Sequence, residues 1–172
     1  MIHKKDFKLT QTYIKNVSLF RVIIYLVMKM RLTNYTDYSL RVLIYLAVKP
    51  NGDKSTITEI TQAYQISRNH LTKVIHQLGQ IGLIETTRGR GGGIVLAKTP
   101  ADIKIGNVVR ETEEDFRIVE CFGPCNQCVI TPACELKHVL HEALAAYLAV
   151  LDKYTLEDIV KAPELYRSLL NV

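Results

Sequence analysis

The stretch that most constrains the fold is STITEITQAYQISRNHLTKVIHQLGQIG, residues 55–82, together with LIETTRGRGGGIVLAK directly after it. Thr56 with Glu59 reads as a capping box. The hydroxyl satisfies an orphan backbone N–H at a helix start, and the carboxylate reaches back to the cap. The helix it opens is short, about residues 57–64. Tyr64-Gln65-Ile66 makes a tight turn, and Ser67 caps a further helix whose inward face is Leu71, Val74, Ile75 and Leu78. Gly79 and Gly82 mark its end. Two β-prone runs follow, Leu83–Thr87 and Ile94–Ala97, and they flank a Gly/Arg tip, which reads as a hairpin. Upstream, residues 37–49 carry Leu40, Leu43, Ile44 and Ala47 at helical spacing. Thr36 or Asp37 can cap that helix, and Lys49-Pro50-Asn51-Gly52 ends it.

Helix, tight turn, helix and Gly/Arg hairpin, in that order, are the layout of a winged helix-turn-helix. Its second helix enters the major groove of DNA, and the hairpin tip lies along the backbone or minor groove. The exposed N-terminal face of that helix carries Ser67, Arg68, Asn69, His70 and Lys73. Asn bonds adenine bidentately and Arg does the same with guanine, while Ser67 sits where helix N–H groups meet a phosphate. In the hairpin, Arg88 and Arg90 flank glycines, Gly91 among them, whose missing side chains allow close approach to a phosphate or a narrow minor groove. His76, further along the helix, reads as surface or packing. The GRGGG run lies between strands and does not lead into a helix, so it is not a phosphate-binding loop of an enzyme. No nucleophile–base set appears either, and an enzyme is not expected.

Charge supports a polyanion partner. The net +5 of the 172-residue chain is matched by residues 1–29 alone; residues 30–98 run about five positive and residues 99–172 about five negative. The basic half faces a polyanion and the acidic half faces elsewhere. No run of 18 or more uncharged apolar residues exists, and no apolar N-terminal core precedes small cleavage residues. The reading is cytoplasmic, with no membrane partner. In a reducing compartment, clustered cysteines are more often metal ligands or redox groups than disulfides.

The rest of the chain divides into segments. Residues 1–29 are expected to be an N-terminal appendage from an upstream start, since SLFRVIIYLVMK at 18–29 echoes YSLRVLIYLAVK at 38–49 and Met30 suits a start. A cationic surface helix for a membrane or partner is the other reading of that segment. Residues 30–98 form the DNA-binding domain. Residues 99–134 hold a linker helix at Ile105–Glu114 and a cysteine loop. Residues 135–172 hold a long helix at about 135–152 and a short helix after Thr155. The long helix carries Leu136, Val139, Leu140, Ala143, Leu144, Tyr147, Leu148 and Leu151 on one stripe, too continuous for packing on one small domain. It reads as a dimerisation helix, which sets two recognition helices about one turn of DNA apart. The fold class is thus mainly α with a small β wing.

All 4 cysteines of the chain lie in the loop: Cys121, Cys125, Cys128 and Cys134, spaced C-x3-C-x2-C-x5-C. A zinc ribbon joins two C-x2-C knuckles across some 15 residues, and a ferredoxin run reads C-x2-C-x2-C-x3-C. Neither fits. Spacing alone leaves an iron–sulfur site, zinc and thiol redox open. Pro124 and Pro132 favour an ordered loop.

LTNYTDYSLRVLIYLA, SRNHLTKVIHQLGQIGLIETTRGRGGGIVLA and ECF…NQCVITPACELKHVL…ALAAYLAVLDKYTLEDIV resemble the NsrR family of nitric-oxide-sensitive repressors. That family belongs to a winged-helix superfamily that also includes IscR-type regulators. The resemblance spans about residues 30–160. It implies a homodimeric repressor of a pseudo-palindromic double-stranded DNA operator, with a 4Fe–4S cluster on Cys121, Cys128 and Cys134. It further implies a fourth ligand from the other subunit, matched here by Asp37. Nitric oxide would nitrosylate the cluster and lower DNA affinity. Arg41, one turn after Asp37, is expected to pair with a carboxylate or the cluster charge. Cys125 departs from the pattern and reads as idle or redox-active. IscR-like members hold a 2Fe–2S cluster with a histidine shortly after the last cysteine; here Lys137 stands three residues after Cys134, and His138 four. A zinc- or thiol-based winged-helix regulator is the remaining alternative.

Overall fold

The computed structural model describes residues 31–50 and 53–172; the expected appendage at 1–29 lies outside them. Residues Leu32–Val172 form one compact unit. At its centre is α1, Asn34–Val48. It buries Val42, Leu43, Tyr45, Leu46 and Val48, a wider band than the single stripe of Leu40, Leu43, Ile44 and Ala47 suggested. The cause is that later helices and the wing pack on it from several sides, so it is apolar over most of its circumference.

The start of α1 differs from expectation. Thr33 is the N-cap, and its hydroxyl accepts the Thr36 N–H at 3.2 Å. Thr36 is fully buried inside the first turn, and Asp37 lies past it on the exposed side. Thr33 outcompetes both because its own N–H donates to Glu113 Oε1 at 2.8 Å, which anchors the helix start to the end of a helix 80 residues on. At the other end, the Arg167 Nε donates to the Val48 carbonyl at 2.7 Å, satisfying one of the orphan acceptors of a helix C-terminus.

Helices α2, Ile57–Tyr64, and α3, Arg68–Gln80, fall where the sequence placed them. The capping box is present: the Glu59 N–H donates to Thr56 Oγ1 at 3.2 Å, and the Thr56 N–H donates to Glu59 Oε2 at 2.5 Å. That backbone N–H holds the Glu59 carboxyl below its ordinary range. Ser67 caps α3 by accepting the His70 N–H at 3.4 Å. Leu71, Val74, Ile75 and Leu78 are all buried. The turn between the helices runs through Gln65 in the left-handed region, at φ 53°.

Strands β1, Ile84–Thr87, and β2, Gly93–Leu96, pair antiparallel, with Ile84 opposite Leu96 and Thr87 opposite Gly93. Gly89 and Gly91 close the tip at φ +93° and +77°, angles that side chains with a Cβ rarely adopt. Ser55 adds a short third pairing, donating to and accepting from Ile94 at 3.0 and 2.8 Å.

After a 3-10 turn at Pro100–Asp102, α4 runs Ile105–Thr112 and α5 runs Glu135–Leu151. The Arg110 guanidinium grips Asp152 at 2.6 and 2.7 Å. Gly106 lies beneath that pair, where a Cβ would come within 2.0 Å of Asp152 Oδ1. Chain reversal is completed by α6, Leu156–Ile159, whose first N–H donates to the Ile103 carbonyl at 2.8 Å. Beyond the expected last helix lies α7, Pro163–Leu170, which opens with proline at its first position, where the missing N–H costs no helix bond. No residue of α5 is buried: Leu140, Leu144, Leu148 and Leu151 are half-buried, while Leu136, Val139, Tyr147 and Val150 are exposed.

Gln65 bears the strain of the inter-helix turn, because a left-handed conformation costs an L side chain about 1 kcal/mol. Gln65→Gly removes that strain but adds roughly 0.4–1 kcal/mol of unfolded-chain freedom, so it is expected to raise unfolding stability by no more than about 0.5 kcal/mol, read as a slightly higher urea midpoint at unchanged slope.

Candidate nucleic-acid interface and metal centre

Burial of Leu71, Val74, Ile75 and Leu78 fixes the rotation of α3, and that rotation turns Arg68, Asn69, His70 and Lys73 outward. Ser67 is exposed at the helix start, and His76 is exposed a turn and a half on. The face is held from behind by α1. Tyr35 Oη donates to the Lys73 carbonyl at 3.3 Å, and the Tyr38 ring lies 6.0 Å from the His70 ring, tilted by 32°. From α2, Thr58 accepts the Arg68 Nη1 at 3.1 Å.

The wing presents Arg88, Arg90 and Gly91 to solvent beside α3. Lys54 joins them: its Nζ reaches the Gly91 carbonyl at 3.5 Å. Sequence reading missed Lys54, Thr58 and Tyr38. Lys54 arrives at the wing only through the pairing of its neighbour Ser55 with Ile94, a long-range contact without local signature. Thr58 sits in a capping segment, where a polar residue has a local explanation already.

Among the described residues, the cations of α3 and the wing, Lys54, Arg68, Lys73, Arg88 and Arg90, have no carboxylate partner, whereas Arg41 and Lys49 of the same half and Arg110, Arg117, Lys161 and Arg167 of the acidic half are paired. Cations without an internal partner meet phosphates with no ion pair to break. Arg90→Ala is expected to weaken binding to every duplex alike and to make the log–log salt dependence shallower by about 1. Titration of a fluorescent duplex at several salt concentrations measures both; an unchanged slope removes Arg90 from the phosphate contacts.

The cysteine loop runs between α4 and α5. Cys121 lies in a 3-10 turn at Glu120–Phe122, and a second turn, Thr131–Ala133, delivers Cys134 to the residue before α5. Side chains hold the loop in shape. The Cys128 N–H donates to Asn126 Oδ1 at 3.0 Å, Asn126 Nδ2 donates to Thr131 Oγ1 at 2.9 Å, and Thr131 Oγ1 donates to the Cys128 carbonyl at 2.8 Å. The Gln127 N–H donates to Glu120 Oε1 at 2.7 Å. The Phe122 ring meets the His141 ring of α5 edge-on at 5.9 Å. All four cysteines are free thiols; Cys121, Cys128 and Cys134 are half-buried and Cys125 is exposed. His138 is exposed on α5, and Lys137 is half-buried.

Asp37 is held by Arg41, which donates through Nε at 3.1 Å and lies at 2.8 Å through Nη2. The Arg41 guanidinium also sits 5.9 Å over the Tyr64 ring. Burial, the largest influence on that ring, pushes the Tyr64 phenol up to about 12. Within the one chain, no three His, Cys, Asp or Glu side chains of the described residues gather to hold a metal ion. The structure thus presents the basic residues of α3 and the wing to solvent and leaves the thiols strung along their loop. The donor chemistry of that loop, soft thiols without disulfides, fits iron–sulfur ligation.

Known proteins resemble the chain over the same span. The profile of the Rrf2 family, iron-dependent transcriptional regulators, matches residues 32–162. The HTH-type transcriptional regulator NsrR of Bacillus subtilis (strain 168) is 63% identical over 144 residues, which cover 83% of this chain and 99% of that protein. NsrR of Bacillus licheniformis is 57% identical over 143 residues, covering 83% and 100%. Among solved structures, CymR, the global cysteine regulator of B. subtilis, has a TM-score of 0.60 at 26% identity, covering 77% of this chain and 98% of that one. The IscR of T. potens has a TM-score of 0.61 at 25% identity, covering 78% and 88%.

Proposed function

The chain belongs to the Rrf2 family of transcriptional regulators, and we propose that it is a homodimeric repressor that senses nitric oxide through a 4Fe–4S cluster. It would act in the cytoplasm on a double-stranded, pseudo-palindromic operator; among the described residues, no helix is long and apolar enough to cross a membrane. The observation that carries this reading is the character of the loop before α5. Three half-buried free thiols lie in a loop whose turn at Cys128 is held by side-chain hydrogen bonds, and the fourth, Cys125, is exposed.

Cys121, Cys128 and Cys134 of one chain would hold the cluster, and Asp37 of the second copy would complete it. Bound there, the cluster supplies iron open to nitric oxide, because a carboxylate is a hard and weakly held partner for it. Cys134 lies at the N-terminal end of α5, where the helix amides favour negative charge. Asp37 has two destinations, the Arg41 guanidinium of its own chain or the thiol loop of the other. Its neighbours on α1 give that choice a route to DNA. Tyr35 holds the Lys73 carbonyl and Tyr38 lies against His70, so displacement of the Asp37 turn bears on the recognition helix within one residue's reach. Control of operator binding needs a difference of about 1–3 kcal/mol between the two states.

Anaerobic purification of the full chain tests the reading directly. The expected product is brown, with about four iron and four sulfide per subunit, and Cys125→Ser retains that content while Cys128→Ser loses it. A colourless, zinc-loaded protein overturns the sensor. Asp37→Ala is expected to change the visible spectrum of the iron-loaded protein and its rate of reaction with nitric oxide. If neither moves, Asp37 is a partner of Arg41 alone.

A further inference from the structure

Arg68 opens α3 and Thr58 stands in the first turn of α2. The two helices are fixed to one another by the turn at Gln65, and across that angle the Arg68 Nη1 donates to Thr58 Oγ1 at 3.1 Å. Both residues are exposed, and Arg68 has no carboxylate partner among the described residues. The contact is therefore of little use to the fold, since neither group is hidden from water. It matters instead for where the guanidinium points.

We propose that Thr58 is a positioning residue for sequence readout, one that aims Arg68 at a guanine in the major groove. A guanidinium carries five N–H donors in a rigid fork and accepts nothing. With one Nη1 hydrogen given to Thr58, the edge formed by Nε and Nη2 remains whole. Two parallel donors on that edge match the O6 and N7 acceptors of guanine, a pattern no other base pair offers in the same place. An unrestrained arginine would lose rotamer freedom on docking, and a pre-set one loses less. The backbone of Arg68 is tied as well: its carbonyl accepts from Thr72 Oγ1 at 2.9 Å, so main chain and head group are both fixed before DNA arrives. This inference rests on the reading of α3 as the DNA-reading helix.

The test uses the full chain, purified anaerobically, and a pool of duplexes with a randomised centre of about three helical turns. Bound duplexes are sequenced, and single-position variants of the selected site are then titrated. The wild-type chain and Thr58→Ser prefer guanine at one position in each half-site, and Arg68→Ala loses that preference. Thr58→Val, which keeps the shape and removes the hydroxyl, lowers the preference there by roughly threefold to tenfold. It leaves the other positions and the salt slope as they were. If Arg68→Ala loses the preference and Thr58→Val keeps it, Arg68 reads DNA without Thr58 and the inference fails alone. If Thr58→Val weakens all duplexes equally, Thr58 is a general contact and not a positioning residue. If Arg68→Ala leaves selectivity intact, the reading of Arg68 as a base contact falls and the inference with it.

Discussion

The burial of α1 is the constraint on which the rest depends. Val42, Leu43 and Val48 are fully enclosed, Tyr45 and Leu46 nearly so, and α3, α4, β2, α6 and α7 all pack on this one helix. Each such side chain contributes roughly 1.5–3 kcal/mol relative to exposure, against a net stability of about 5–15 kcal/mol for a whole domain. No face of α1 is therefore free to drift. The strip that stays in water carries Asp37 and Arg41, and the flanking residues Tyr35 and Tyr38 touch α3. A packed interior has discrete arrangements and does not deform smoothly. In the proposed sensor, a pull on Asp37 would be passed to the neighbours of α1, among them α3 through Tyr35 and Tyr38.

Charge is distributed in two ways that serve different ends. In the acidic half, Arg110 with Asp152, Arg117 with Asp115 and Arg167 with Glu164 are all ion pairs on the surface. Exposed pairs of this kind contribute about 0–1 kcal/mol each, so their effect on stability is slight. Their effect on availability is larger, because a paired guanidinium has a partner to leave before it can meet a phosphate. The cations at α3 and the wing have no such partner among the described residues. Lys54, Arg68, Lys73, Arg88 and Arg90 are thereby available to a polyanion.

Local chemistry in the sequence was enough to place α2, α3 and the wing within a residue or so, because their boundaries are set by caps, glycines and short-range hydrogen bonds. The capping box of Thr56 and Glu59 and the buried set of α3 were legible for the same reason. What was not legible depends on distant partners. The true start of α1 is fixed by Glu113, some 80 residues away. The short α7 owes its placement to the reach of Arg167 to the end of α1, although Pro163 at its first position was a signal that went unread. On the exposed face of α3, the outward placement of Arg68, Asn69 and Lys73 was readable from helical spacing, whereas Lys54 and Thr58 come beside that surface through a strand pairing and an inter-helix angle. The cysteine positions were plain, yet their grouping came from resemblance; the different exposure of Cys125 is a property of the folded loop that spacing does not carry.

The apolar band of α5 explains why a single chain is an incomplete description of the proposed sensor. Leu140, Leu144, Leu148 and Leu151 are half-buried, Leu151 against the core, while Leu136, Val139, Tyr147 and Val150 continue the band into solvent. One core cannot cover both strips of a helix that lies on its surface. In the proposed dimer the second strip is covered by the other copy, and the thiol loop enters the same region, because Cys134 is the residue before α5 and the exposed Val129 and Ile130 lie just upstream. Loop geometry and helix pairing then share a joint at Cys134. The energies are of matching size. A switch needs about 1–3 kcal/mol, and covering the part of Val139 that is still exposed, 58% of it, is worth about 1 kcal/mol. In the proposed dimer, a rearrangement of the loop that altered a few apolar contacts in each copy would supply a difference of that size.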